Sequence, residues 1–201
     1  MASSERVLIP GPVGAIETAI DIPAGMPVGL ALVAHPHPLF GGTLDNKVAQ
    51  TLAKTMVELG YIAARPNFRG VGQSEGLHDE GKGETEDLLA VAHSLRTRFS
   101  LTDAPLVLAG FSFGSLVQSR VALRVAAQRL VIIGIALTRG QVENVPADTI
   151  LIHGEKDDVV ALDLVMRWAE PQDLPVTVIA GADHFFHRRL HLIRNIIKGA
   201  W

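Results

Sequence analysis

The sequence predicts an α/β protein: a mostly parallel central sheet of about eight strands, with helices on both faces. Three observations carry this. Strand-like and helix-like runs alternate from Val28 to the C-terminus, as in repeated strand–helix–strand crossovers. Several strand-like runs are apolar along their length, as strands covered on both faces are. The segment Gly110-Phe111-Ser112-Phe113-Gly114 stands between a strand-like run and a helix-like run, the context of a Gly-x-Ser-x-Gly nucleophile elbow.

Residues 6–9 and 14–22 read as two strands joined through Pro10-Gly11-Pro12, the second partly alternating as a half-exposed edge strand does. Residues 28–34 form a continuous apolar strand apart from Gly29. Residues 45–59 read as a helix, with Val48, Leu52, Met56 and Leu59 spaced for one face and Gly60 as punctuation. Residues 61–68 are strand-like, interrupted by Pro66, and residues 84–99 form a helix with Leu88, Leu89, Val91, Ala92 and Leu95 inward. Residues 106–111 are the strand before the elbow, and 115–127 the helix after it. Residues 129–137 and 149–153 are buried strands, with a helix over 161–169 after the second. Residues 176–180 form the last strand, and 186–197 a closing helix with Leu190, Ile193 and Ile197 on one face.

The chain has 201 residues, 48% of them hydrophobic and 19% charged, which predicts one globular domain over residues 1–201. The formal net charge is -3, and no Lys/Arg block is long enough for a nucleic-acid or anionic-membrane partner. There is no cysteine, which excludes disulfides, thiolate catalysis and cysteine-based zinc sites. The first residues lack a charged-then-apolar leader pattern. The longest apolar runs fall far short of the roughly 20 residues that cross a bilayer. A cytoplasmic protein without membrane attachment is the expectation, and an exposed edge strand leaves a homodimer open.

The elbow turn holds its serine hydroxyl clear of the sheet and places the Phe113 N–H at the start of a helix, where unpaired amides favour negative charge. A serine hydroxyl needs a neighbouring base, and that histidine needs a third group to fix its tautomer. Both are expected later in the chain. Asp157 follows a strand in His153-Gly154-Glu155-Lys156-Asp157-Asp158, and His184 follows the last strand in Gly181-Ala182-Asp183-His184-Phe185-Phe186. By subtraction, Asp157 lies 45 residues after Ser112, and His184 27 residues after Asp157. Asp158 is the rival acid, read as a solvated neighbour. His187 and His191 are the rival bases, read as surface or packing residues on the closing helix. His153 reads as a satisfied structural histidine.

With His35-Pro36-His37-Pro38 after the third strand and Asn67-Phe68-Arg69-Gly70-Val71-Gly72-Gln73-Ser74 after the fourth, the chain resembles the α/β-hydrolase superfamily over nearly its whole length. The His-Pro-His-Pro-x-x-Gly-Gly loop is similar to that of small, lid-less bacterial hydrolases akin to dienelactone hydrolases and the catalytic domains of prolyl peptidases. The resemblance implies Ser112 as nucleophile, Asp157 as acid and His184 as base. It implies an oxyanion hole from the Phe113 N–H and one N–H of the loop after the third strand. Pro36 and Pro38 have no N–H, which leaves His37 or Leu39; His37 fills the register position. The implied reaction is acyl transfer to water on a small ester, without a cofactor. Thioesterase, peptidase and dienelactone-type hydrolysis use the same triad, and a non-catalytic binding protein is the reading from another class.

His35-x-His37 offers a metal pair on paper, but its prolines and the lack of a matching carboxylate motif predict none; His35 reads as a loop-shaping residue. The run Gly70-x-Gly72-x-x-x-Gly76 has the wrong spacing for a dinucleotide fingerprint. It reads as a mobile loop bordering the site, with Arg69 as its anchor and a substrate carboxylate as that residue's other possible partner. About ten residues separate Leu137 from Asp148, too few for a cap domain, which predicts no interfacial activation on lipid. Leu39, Phe40, Phe111, Phe113, Val160, Phe185 and Phe186 cluster near the expected site, and an apolar pocket built from several of them would suit a small acyl or alkyl group.

Overall fold

A computed structural model describes residues 3–140 and 142–201. Eight strands form one sheet: β1 (Ser3–Gly11), β2 (Gly14–Ile22), β3 (Gly29–Ala34), β4 (Tyr61–Pro66), β5 (Leu106–Phe111), β6 (Arg129–Ile133), β7 (Ile150–Gly154) and β8 (Val176–Ile179). Their spatial order is β1-β2-β4-β3-β5-β6-β7-β8. β1 and β2 form an antiparallel hairpin, β2 runs antiparallel to β4, and every later pairing is parallel. β3, β4 and β5 are buried along their whole length; β3 and β5 read as unbroken apolar runs, while β4 carries Arg65, which donates to the Leu44 carbonyl and to Asp21.

Five helices cover the sheet: α1 (Lys47–Glu58), α2 (Lys82–Arg98), α3 (Phe113–Ala122), α4 (Leu162–Ala169) and α5 (Leu190–Gly199). Alternate residues of β5 divide the core. Leu106 and Leu108 pack with Leu88, Val91 and Leu95 of α2, Leu116 and Val117 of α3 and Val165 of α4. Val107, Ala109 and Phe111 pack with Leu52 and Met56 of α1 and Ile193 and Ile197 of α5 on the opposite face.

The helix ends differ from the sequence reading for local reasons. α1 starts at Lys47 because the Asn46 carbonyl oxygen Oδ1 accepts the Val48 and Ala49 N–H groups at 2.9 and 3.3 Å, a side-chain N-cap. α2 starts two residues earlier than expected, with Glu84 reaching back to accept the Gly81 N–H at 2.8 Å. α3 begins directly at the elbow and stops at Ala122. α5 begins at Leu190, because Phe186 and Arg188 hold φ of 53° and 61°, a left-handed backbone that no helix continues. β6 ends at Ile133, since Gly134 turns at φ 52°.

The chain steps from β3 outward to β4, then returns past β3 to β5 on its other side. The loops leaving β3 and β5 therefore diverge, and the crevice between them lies outside the carboxyl ends of the strands, where sites form in open α/β sheets. Among the described residues, no helix is long and apolar enough to cross a membrane. The described residues between β6 and β7 contain neither helix nor strand, so no cap rises over the crevice from that connection.

Candidate active site

Ser112 sits on the turn from β5 into α3 with φ 54° and ψ -118°, a backbone region that only glycine adopts readily and that costs a serine about 1–3 kcal/mol. Both flanking glycines are required by space. A Cβ on Gly110 would meet the Gly114 backbone at 2.5 Å, and one on Gly114 would meet the Ala34 carbonyl at 2.3 Å. The Ser112 N–H donates to the Ile133 carbonyl at 2.9 Å. Ser115 Oγ donates to the Gly110 carbonyl at 2.7 Å. The turn is thus fastened to its own strand and to β6.

The structure brings Ser112, His184 and Asp157 into one line. His184 Nε2 lies 3.0 Å from Ser112 Oγ, and His184 Nδ1 lies 2.7 Å from Asp157 Oδ2. The arrangement sets the neutral ring with its proton on Nδ1 and its Nε2 lone pair toward the serine. All three residues are buried, at 8%, 3% and 7% exposure respectively. Asp157 Oδ1 accepts the Val159 and Val160 N–H groups at 2.9 and 2.8 Å. Burial pushes the Asp157 carboxyl up. The His184 hydrogen bond, the Val160 N–H and the charges of His184 and His153 outweigh it, and the group lies below the ordinary carboxylate range. Asp158 is exposed beside it.

His37 stands in the loop after β3, within reach of the elbow: its ring centroid is 4.7 Å from that of Phe113. The Phe113 and His37 N–H groups are taken by no backbone carbonyl among the described residues. The Leu39 N–H turns inward to His37 Nδ1 at 3.3 Å, which leaves His37 as the free backbone donor of the two. Gly41 and Gly42 close this loop: Gly41 takes a left-handed φ of 79°, and a Cβ on Gly42 would meet the Pro36 carbonyl at 2.1 Å. Burial, then the positive charges of His78 and Arg139, hold the His37 ring below the usual histidine range, against the opposing charge of Glu84.

A cleft of about 220 Å³ opens beside Ser112 and His184, lined by Phe40, Val159, Val160 and Phe185 among others. Four of the seven residues expected near the site do not line it: Leu39, Phe111, Phe113 and Phe186. Leu39 is 68% exposed, facing away from the cleft. Phe111 is fully buried, because the alternation of β5 sends it to the same side as Val107 and Ala109; its ring packs on His184 at 5.1 Å. Phe186 is also core.

The loop after β4 is pinned rather than loose. Glu17 Oε2 accepts the Gln73 N–H at 2.9 Å and an Asn67 amide proton at 2.8 Å, and Ser74 Oγ accepts the Glu17 N–H at 3.0 Å. Arg69 makes a bidentate pair with Asp87, both bonds 2.8 Å, and donates to the Gly83 carbonyl. It is an anchor, buried and outside the lining of the cleft beside Ser112. His187 is exposed, on Asp183.

Sequence reasoning missed one buried group, Gln118, and read another, His153, as fully satisfied. His153 Nε2 donates to the Val160 carbonyl at 2.9 Å and lies 3.6 Å from Asp157 Oδ2, while its buried Nδ1 has no partner. The residue is half satisfied, not fully, and it braces the backbone that holds Asp157. Gln118 of α3 is fully buried and donates to the Leu32 and Ala109 carbonyls of β3 and β5 at 2.8 and 3.1 Å, tying the helix that starts at the elbow to the two strands flanking the crevice. No motif marks Gln118. Among the described residues, no cluster of three or more metal-ligating side chains occurs.

A serine at the sharp turn between the central parallel strand β5 and its helix, in line with a buried aspartate after β7 and a histidine after β8, defines an α/β hydrolase of the serine type. Comparison with known proteins agrees. The chain is 35% identical to a lid-less α/β serine hydrolase from Xanthomonas campestris, with a TM-score of 0.91 over 98% of this chain and 93% of that one. It is 38% identical to an α/β serine hydrolase homologue from Coxiella burnetii, with a TM-score of 0.86 over 97% and 96%. An uncharacterized protein of Rickettsia prowazekii is 32% identical over 199 residues, 90% of this chain and 82% of that one. No family model matches the sequence. The chain belongs to the α/β-hydrolase superfamily, among its lid-less serine hydrolases.

Proposed function

We propose that this protein hydrolyses a small carboxylic ester through an acyl-enzyme on Ser112. The observation that carries this reading is the continuous chain from Ser112 Oγ through His184 to Asp157, at 3.0 and 2.7 Å. In this reading His184 Nε2 takes the hydroxyl proton as Ser112 Oγ bonds to the ester carbonyl carbon. Asp157 stabilises the imidazolium that forms. The Phe113 and His37 N–H groups hold the negative oxygen; loss of one such donor raises a barrier by about 3–4 kcal/mol. The C–O bond to the alcohol then breaks, and His184 returns the proton to the departing oxygen. Water attacks the acyl-enzyme with His184 again as base, releasing the acid and restoring Ser112. The apolar walls from Phe40, Val160 and Phe185 and the small volume support a short acyl or alkyl group.

The test is covalent labelling by a fluorophosphonate, with the native protein and Ser112→Ala compared. Labelling confined to the native protein and mapped to Ser112 is expected, followed by turnover of short-chain esters. A folded native protein that resists the probe would overturn the reading.

A further inference from the structure

The whole chain carries a net charge of -3, yet no aspartate or glutamate lines the cleft beside Ser112. Its one permanent charge is Arg139, in the connection after β6. The guanidinium lies over the Phe40 ring at 4.6 Å, a stacking that holds it against the cleft wall. A second hollow shares Asn46 and Phe185 with the first, so the two are adjacent, and it is lined by Lys47 and Arg188. No carboxylate lines this hollow either. Asp183, close by in sequence, is engaged by the ring and N–H of His187. Among the described residues, Arg139, Lys47 and Arg188 form no salt bridge, while most other arginines of the chain are paired.

We propose that the ester taken by this site carries a carboxylate, held by Arg139 at one end of the cleft or by Lys47 and Arg188 at the other. This rests on the hydrolase reading and names its substrate class. A guanidinium offers a carboxylate two parallel N–H donors. Phe40 keeps the fork in place, so less side-chain freedom is lost on binding. The three cations are exposed, which sets the size of the effect. A solvated pair contributes up to about 1 kcal/mol, or roughly fivefold in selectivity, and salt screens it.

Two substrate pairs separate the ends. Monoethyl adipate against ethyl hexanoate puts the charge on the acyl side. The ester of butyric acid with 3-hydroxybenzoic acid, against phenyl butyrate, puts it on the leaving group. kcat/KM is measured for the native protein, Arg139→Gln and the double variant Lys47→Gln/Arg188→Gln, at low and high salt. The anionic member is expected to be preferred in at least one pair. That preference should fall about fivefold in the variant lacking the matching cation, and should shrink in high salt. Equal or better use of the neutral member in both pairs, or a preference untouched by either variant, would overturn the inference while leaving the hydrolase standing. Failure of the native protein to hydrolyse any of the four esters would remove both readings.

Discussion

His35 Nε2 accepts the Phe68 backbone N–H at 3.0 Å, across the base of the two loops that leave β3 and β4. The other ring nitrogen donates to the Pro36 carbonyl at 2.6 Å. The two partners demand a neutral ring protonated on Nδ1 alone; a second proton would cost the Phe68 hydrogen bond. Burial drives the His35 pKa down to about 4, with the Pro36 carbonyl opposing only in part.

The sign of the linkage follows. Between about pH 6.5 and pH 4 the unfolded chain binds a proton at this residue and the folded chain does not, so stability falls as pH drops through that window. The full effect is roughly 3 kcal/mol. His153, also lowered by burial, adds in the same direction. Urea unfolding at intervals between pH 7 and 4 should show this slope, and His35→Gln should flatten it. An equal slope in that variant would assign the effect elsewhere.

Ser112→Gly should remove fluorophosphonate labelling and raise stability by about 1 kcal/mol. The backbone at φ 54° and ψ -118° is strained for serine and relaxed for glycine. Thermal unfolding measures it, and a lowered melting temperature would contradict the strain.

Gly114→Ala should be severely destabilising, by several kcal/mol or to the point of not folding, because its Cβ would meet the Ala34 and His35 carbonyls at 2.3 and 2.6 Å. Gly25→Ala is the control: nothing lies within 4 Å of a Cβ built there. Its unfolding midpoint should stay within about 0.5 kcal/mol of the native value.

Asp157→Asn keeps the size of the side chain and its acceptor for Val159 and Val160, but presents an amide to His184 Nδ1 or forces the wrong tautomer. kcat on a short ester should drop by about 10³–10⁴ with little change in the unfolding midpoint. Asp158→Asn should change kcat less than about twofold, as expected of an exposed neighbour.

Much of this molecule was legible in its sequence because burial is continuous along the central strands: β3 and β5 leave no charged position to confuse the pattern, and β4 has only Arg65. The elbow was legible because two glycines are the only residues that fit between β3, β5 and α3. The start of α5 was not, since nothing about Phe186 or Arg188 announces a left-handed backbone. Phe111 was misplaced although the period of β5 contains the answer: it shares a face with Val107 and Ala109. Arg139 escaped notice because it stands in a connection with no motif, and only the fold carries it to the cleft wall over Phe40. Gln118 is a polar group that topology alone makes internal, whereas His153 was legible as the end of a buried strand.

The described residues between β6 and β7 form no helix or strand, and this has a chemical corollary. An acyl group on Ser112 would lie in the cleft with no helix or strand from those residues above it to choose which acceptor reaches it. Added methanol or glycerol would then compete with water in proportion to concentration, yielding new esters beside the free acid, and the enzyme would act as a transacylase wherever alcohols are abundant.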